Sequence, residues 1–186
     1  MGKFLDETTP AAPVQRILDA AMFAAERHAA QRRKGAAAEP YINHLLEVAR
    51  LIADSSEELD TNLVVAGLLH DTIEDTSTTA TELERTFGDD VAALVLEMTD
   101  DKTLPKEVRK ALQVENAAHK SVRAQVIKLA DKISNLRSLL ASPPTNWSPE
   151  RKREYCLWAR RVVDGLTAPN PFLKTEFDRA YAQFLG

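Results

Sequence analysis

Cysteine occurs once in the 186 residues, at Cys156. That excludes an internal disulfide and fits a reducing compartment. Cys156 lies in a helical apolar pattern and reads as a buried, inert thiol rather than a nucleophile. Glycine is scarce, with 6 residues, and aromatics make up 6%. Together with abundant alanine, this favours helix over sheet. No segment keeps a two-residue apolar alternation, so no strand is expected. No apolar run reaches membrane-spanning length, and the N-terminus lacks a charged-then-apolar signal pattern. Basic excess is also missing. The net charge of -4 argues against a general nucleic-acid binder. There is no repeat period and no Gly/Ser linker. The expectation is a soluble cytoplasmic protein with neither a membrane nor a nucleic-acid partner, folded as one all-α domain over residues 1–186. Hydrophobic residues, 44% of the chain, suffice for a core.

Helix start and stop signals recur. Pro13 opens a predicted helix to about Gln31, with Val14, Ile17, Leu18, Ala21, Met22 and Ala25 on its apolar face. RRKGAAAEP reads as a loop. A second helix runs from Asn43 to about Ala53, with Leu46, Val48, Leu51 and Ile52 apolar. Asp60 or Thr61 caps a third, which carries an apolar stem into His70 and Asp71. Thr79 and Glu82 form a capping-box pattern, Gly88 breaks that helix, and Asp89 can cap the next. Further helices are predicted from Pro105 to about Ala117 and from Val122 to Leu140 behind Ser121. Two more begin at the Ser148-Pro149 and Asn170-Pro171 pairs and run to about Leu166 and Phe184.

Polar residues interrupt these apolar helices at a few places. LLHDTIEDT (Leu68 to Thr76) sets His70 beside Asp71, with Glu74 and Asp75 one turn on. On an ideal helix these four fall within an arc of about 140°. KLADKISNL (Lys128 to Leu136) places Asp131 in an apolar helix, and PYINH (Pro40 to His44) adds a second imidazole. A polar cluster closing an apolar helix is costly to bury unless something compensates it, such as a cation. His44, His70, Asp71 and Asp131 would bind one divalent ion through two nitrogens and two oxygens. Mn²⁺ suits that set best, with Fe²⁺, Co²⁺ or Zn²⁺ as alternatives. Taken singly, each residue has a plainer role. An HD pair can close a helix, Asp131 can pair with Lys128 or Lys132, and Arg32, Arg33 and Lys34 can be a solvated loop. His28 is expected to face solvent and His119 to lie on a surface loop. Trp147 and Trp158 are expected in the core, with Tyr155 at a pocket.

The order His44, His70-Asp71, Asp131 resembles the HD superfamily of metal phosphohydrolases. RRKG…EPYINH, LLHDTIEDT, TFGDDVAALVLEMTDDKTLP and VIKLADKISNLRSL together resemble the alarmone hydrolases. These are the hydrolase half of the Rel/SpoT proteins and their small stand-alone relatives. The likeness runs from about Ala20 to Leu166, and EYCLWA (Glu154 to Ala159) with Trp147 matches the stand-alone type. It implies a single HD phosphohydrolase domain, a helical bundle of about 8–10 helices, that removes the 3′-pyrophosphate of ppGpp or pppGpp. It also implies His44, His70, Asp71 and Asp131 as metal ligands and Glu74 and Asp75 as the pair that handles the attacking water. Arg33 and Lys34 match the basic pair near base and phosphates, Asn135 the sugar contact, and Tyr155 a pocket-lining tyrosine. Tyr41 leans the same way. Leu45 follows His44 where proline is usual.

The residue types suggest a mechanism. Metal-activated water attacks phosphorus. Glu74 or Asp75 takes its proton, and Lys128, Lys102 or Arg33 offsets the charge that grows on phosphate oxygens. Rival readings are an HD phosphohydrolase for a deoxynucleotide monophosphate or NADPH, and a non-catalytic nucleotide sensor. Oligomeric state is open, a homodimer being one option.

Overall fold

The computed structural model describes residues 12–185. Ten α-helical segments and one 3₁₀ turn follow in chain order: α1 (Pro13–Arg27), α2 (Ile42–Asp54), α3 (Thr61–Leu69), α4 (Thr72–Asp75), α5 (Ala80–Phe87) and α6 (Asp89–Met98), then α7 (Lys106–Glu115), the 3₁₀ turn Asn116–His119, α8 (Val122–Ala141), α9 (Pro149–Asp164) and α10 (Pro171–Leu185). Among the described residues there is no strand. The one backbone bridge among the described residues joins Arg32 to Pro40 across the loop after α1. No described helix is long and apolar enough to cross a membrane.

The caps explain most of the boundaries. The side chains of Asp60, Thr79, Ser121 and Ser148 accept the amides of Leu63, Glu82, Ala124 and Arg151, which satisfies donors that a helix start leaves open. Asn170 does the same for Leu173 at 3.1 Å. Asp89 does not cap α6. Gly88 precedes that helix with φ 92°, a conformation glycine adopts without steric cost.

α3 is buried all round from Leu63 to Leu69, so it is the central rod of the bundle. It packs on α1, α2, α6 and α8, and α8 in turn packs on α10, α2, α6 and α9. Leu45 and Val48 of α2, Leu68 and Leu69 of α3 and Ile127, Leu129, Ile133 and Leu136 of α8 form the tightest core. Each such side chain stabilises the fold by roughly 1.5–3 kcal/mol.

α1 departs from its predicted form in length and in facing. It ends at Arg27 rather than Gln31, and Val14, Leu18 and Met22 are 66%, 57% and 65% exposed. The buried side instead carries Ala20 and Ala24, with Ile17, Ala21 and Phe23 packed beside them. α1 packs mainly on α3. Leu46 of α2 is likewise exposed, while Leu45 is fully buried.

Candidate functional site

The chain changes direction between α3 and α4. Asp71 leaves helical geometry (φ -103°, ψ -2°), and the Thr72 hydroxyl donates to Leu69 O at 2.6 Å, taking a carbonyl of the last turn of α3. His70 to Asp75 are therefore not one continuous helix, and the predicted 140° arc does not describe them. The break aims His70 and Asp71 at one point, with Nε2 and Oδ2 3.1 Å apart. Glu74 and Asp75 point to different neighbours.

His44 from α2 and Asp131 from α8 complete the cluster. His44 Nε2 lies 3.6 Å from Asp71 Oδ2 and 3.4 Å from Asp131 Oδ1, and His70 Nε2 lies 3.9 Å from Asp131 Oδ1. One ligand atom each from His44, His70 and Asp131 falls within 4.8 Å of the others. Donors about 2.1 Å from an octahedral ion lie about 3.0 Å apart when adjacent and about 4.2 Å when opposite.

Hydrogen bonds fix which nitrogens face inward. His70 Nδ1–H donates to Gly67 O at 2.8 Å, so in the neutral ring Nε2 carries the lone pair. That Nε2 is buried without a hydrogen-bond partner. The Ser134 hydroxyl donates to Glu47 at 2.7 Å, so it accepts from His44 Nδ1–H at 2.8 Å, and His44 Nε2 also presents a lone pair. Two lone-pair nitrogens and two carboxylates around an orphaned buried atom fit a divalent cation.

The charges agree with that fit. Burial alone would lower His70, but the Asp71 and Asp131 carboxylates outweigh it and push the imidazole up to about 9. Burial alone would raise Asp71 and Asp131. The imidazoles hold Asp71 well below the usual carboxylate range, and Lys132 with the imidazoles does the same for Asp131. Asp131 combines both of its sequence readings, since Oδ2 accepts from Lys132 at 3.0 Å and Oδ1 faces the imidazoles and accepts from Asn135 at 2.5 Å.

A cavity of about 830 Å³ opens beside the cluster. Its lining includes Arg33, Lys34, Tyr41, Glu74, Asp75, Asn135 and Tyr155. Its size lies in the range of ligand pockets. Tyr41 connects it to the cluster by donating to Asp71 Oδ2 at 2.6 Å, and Asn135 does so through Asp131. Glu74 accepts from the Asp100 amide at 3.1 Å and pairs with Arg109 at 3.3 Å. Burial and the charges of Asp100, Asp71 and Asp75 lift Glu74 above the ordinary carboxylate range, although the Asp100 amide pulls the other way. Asp75 accepts from Gln31 at 2.9 Å and from Lys102. The loop carrying Arg33 and Lys34 is pinned to the end of α8: Ala37 N donates to Ser142 Oγ at 2.9 Å, and a Cβ on Gly35 would lie 2.2 Å from Ser142 O.

Several expectations change. Lys128 is buried, is not among the cavity-lining residues, and has its ammonium pushed down to about 8 by burial and by Lys132. It is not placed to meet a phosphate. Lys102 reaches the site only through Asp75. Trp158 is buried in the core as expected and also borders the cavity, whereas Trp147 is only partly buried and lines the cavity with Tyr155. Arg151 sits 4.5 Å over the Trp147 ring and Lys132 4.5 Å over that of Trp158. His28 is 2% exposed, not solvent-facing. Burial pushes the Cys156 thiol up to about 12, which leaves it unreactive. Arg109, Gln31 and Gln113 went unnoticed in the sequence. All three line the cavity, and Gln113 ties Lys132 to Asp100. Only their facing after folding separates them from other polar residues of exposed helix and loop.

A helical bundle that gathers two imidazoles and two carboxylates from α2, α8 and the turn between α3 and α4 beside a large polar cavity is the HD-domain architecture. Residues 20–158 match the family described as HD domain. The chain is 51% identical over 165 residues to guanosine-3′,5′-bis(diphosphate) 3′-pyrophosphohydrolase MESH1 of Xenopus tropicalis, covering 89% of this chain and 92% of that one. The human MESH1 protein is 48% identical over 167 residues, with 90% and 93% covered. A solved structure described as a metazoan ortholog of SpoT that hydrolyzes ppGpp superposes with a TM-score of 0.87 at 43% identity, covering 95% of this chain and 97% of that one. The chain belongs to the HD-domain family, in the group of the MESH1 proteins.

Proposed function

We propose that this chain hydrolyses guanosine 3′,5′-bis(diphosphate) and its 5′-triphosphate form, releasing pyrophosphate from the 3′ position and leaving GDP or GTP, with Mn²⁺ as its metal. One observation carries the metal chemistry: His70 Nε2 is buried and has no hydrogen-bond partner, yet lies 3.1 Å and 3.9 Å from two carboxylates. The names of the relatives support the substrate.

His44, His70, Asp71 and Asp131 would hold the ion. When bound, it supplies Lewis-acid polarisation at the reacting oxygen and phosphorus. Glu74 takes a proton from the attacking water, because its raised pKa makes it a better base than an ordinary carboxylate. Asp75, held by Gln31 and Lys102, orients the same water. Arg33, Lys34 and Arg109 line the cavity and offset charge on the phosphates. Asn135 and Tyr155 line the side on which the nucleoside would rest. Tyr41 holds Asp71 in place.

The test is hydrolysis of ppGpp by metal-stripped protein before and after addition of Mn²⁺, with pyrophosphate and GDP as the products sought. Turnover only with the metal is expected. No pyrophosphate release at any metal concentration overturns the proposal. Release of phosphate from another nucleotide in a parallel panel overturns the substrate and leaves the metal site standing.

A further inference from the structure

His28 follows the last residue of α1, has almost no exposed surface, and meets Gln31 and Tyr41. Its ring stacks on that of Tyr41, with centroids 5.0 Å apart and planes 24° from parallel. Its Nδ1 lies 2.5 Å from Gln31 Oε1, and the amide nitrogen of Gln31 donates to Asp75 Oδ2 at 2.9 Å. An ionised carboxylate only accepts, so Gln31 must turn its NH₂ toward Asp75 and its oxygen toward His28. The proton of neutral His28 is thereby fixed on Nδ1. Nε2 is left buried as an acceptor without a partner.

An orphaned buried nitrogen is costly. If packing against Tyr41 were the whole role of the ring, a phenyl group would serve without that cost. The imidazole therefore matters for its single donated bond. Two arms leave the one ring. The stacked arm backs Tyr41, whose hydroxyl holds Asp71. The hydrogen-bonded arm sets the Gln31 amide, which holds Asp75 Oδ2 while Lys102 holds Oδ1. The Tyr41 amide also donates to Gln31 O at 3.1 Å, which ties the two arms together.

We infer that His28 is a positioning residue of the hydrolytic site: its Nδ1–H orients Gln31, and Gln31 orients the water-handling carboxylate Asp75. The inference rests on the hydrolase reading for its kinetic consequence, but not for the position of the proton. Two substitutions separate the arms. His28→Phe keeps the stack and removes the donor. His28→Asn keeps a donor close to the Nδ1 position and removes the stack.

With full-length protein and Mn²⁺, His28→Phe is expected to keep its melting temperature and Mn²⁺ affinity. Its kcat on ppGpp should fall about 10- to 100-fold, the usual loss when an outer supporting hydrogen bond is cut, with KM little changed. His28→Asn should recover most of that kcat. Gln31→Glu, which replaces the amide donor to Asp75 with an acceptor, should lose a similar factor in kcat, and the His28→Phe/Gln31→Glu double variant should lose no more than the worse single one. Wild-type kcat in His28→Phe or in Gln31→Glu overturns the inference, as does equal impairment of His28→Phe and His28→Asn. Nitrogen-15 NMR gives a readout independent of turnover: the neutral His28 ring should carry its proton on Nδ1. A proton on Nε2 overturns the inference even if the enzyme is active. A wild-type chain that never releases pyrophosphate, with the proton still on Nδ1, counts against the proposed reaction instead.

Discussion

α8 and α7 border the same site and are built in opposite ways. Twelve of the 20 residues of α8 are buried, from Ala124 to Leu139, and Asp131 sits among them. No residue of α7 is fully buried, yet Arg109, Gln113, Lys106 and Lys110 all line the cavity. A cation site needs donor atoms held to fractions of an ångström, and a helix locked by core packing provides that. A cavity wall that meets a large polyanion needs charge more than rigidity, and an exposed helix carries charge at little desolvation cost. The ligand side should therefore fail all at once when altered, and the wall should fail by degrees.

The largest effect tests the rigid side. Asp71→Ala removes one of the two carboxylates that face both imidazoles and should abolish turnover and most metal binding, as read by pyrophosphate release and by Mn²⁺ titration. Retained activity would sink the ligand assignment. Next comes Glu74, which stands between the two regions through Asp100 and Arg109. Glu74→Ala should spare metal affinity and lower kcat at least ~10²-fold if it is the base. In the wild type, the acid limb of kcat should fall above the ordinary carboxylate pKa, because burial raises Glu74. A near-wild-type rate in the variant removes Glu74 from that role.

The wall should respond more gently. Arg33→Ala should raise KM roughly tenfold with kcat little changed, the signature of lost uniform binding. An effect confined to kcat would move Arg33 from the wall into the reaction itself.

Acidity sharpens the comparison in the metal-free protein. His70 binds its proton more tightly folded, at about 9, than unfolded, at 6.5. A raised imidazole stabilises fully below the unfolded value, and that contribution disappears as pH rises through the folded one. The melting temperature of stripped protein should thus decline between pH 6.5 and about 9. Mn²⁺ added within that window should release a proton, detectable with a pH indicator, because cation and proton compete for Nε2. A flat melting curve with no proton release would break the assignment of His70. The smallest effect is expected on α1: Met22→Lys, at an exposed position, should change stability by less than about 0.5 kcal/mol. A large loss of melting temperature would restore the apolar face predicted from the sequence.

Particular residues show where sequence reading reaches and where it stops. Caps at Asp60, Ser121, Ser148 and Asn170 are local events, so their helix starts were legible. His44, His70, Asp71 and Asp131 stood out because polar residues inside apolar helices need a partner. His28, Gln31, Arg109 and Gln113 did not stand out, because each belongs to a polar stretch whose facing is set by distant packing. Lys128 looked available for phosphate by its spacing from Asp131, and the fold buried it instead. The face of α1 was read only in part, with Ile17 and Ala21 packed but Val14, Leu18 and Met22 exposed, because periodicity marks apolar residues and not which of them a neighbouring helix covers.

What the sequence determined alone is the helical class, the stems that carry the four ligand-type residues, and their order along the chain, since propensity, capping and periodicity act over a few residues. Tertiary structure decided the convergence of His44 and Asp131 on the His70-Asp71 pair, the His44 tautomer that Ser134 sets, and the burial of His28 behind Tyr41. The Tyr41–Asp71 and His44–Ser134 bonds join residues 30 and 90 positions apart, and no local pattern encodes a distance between them.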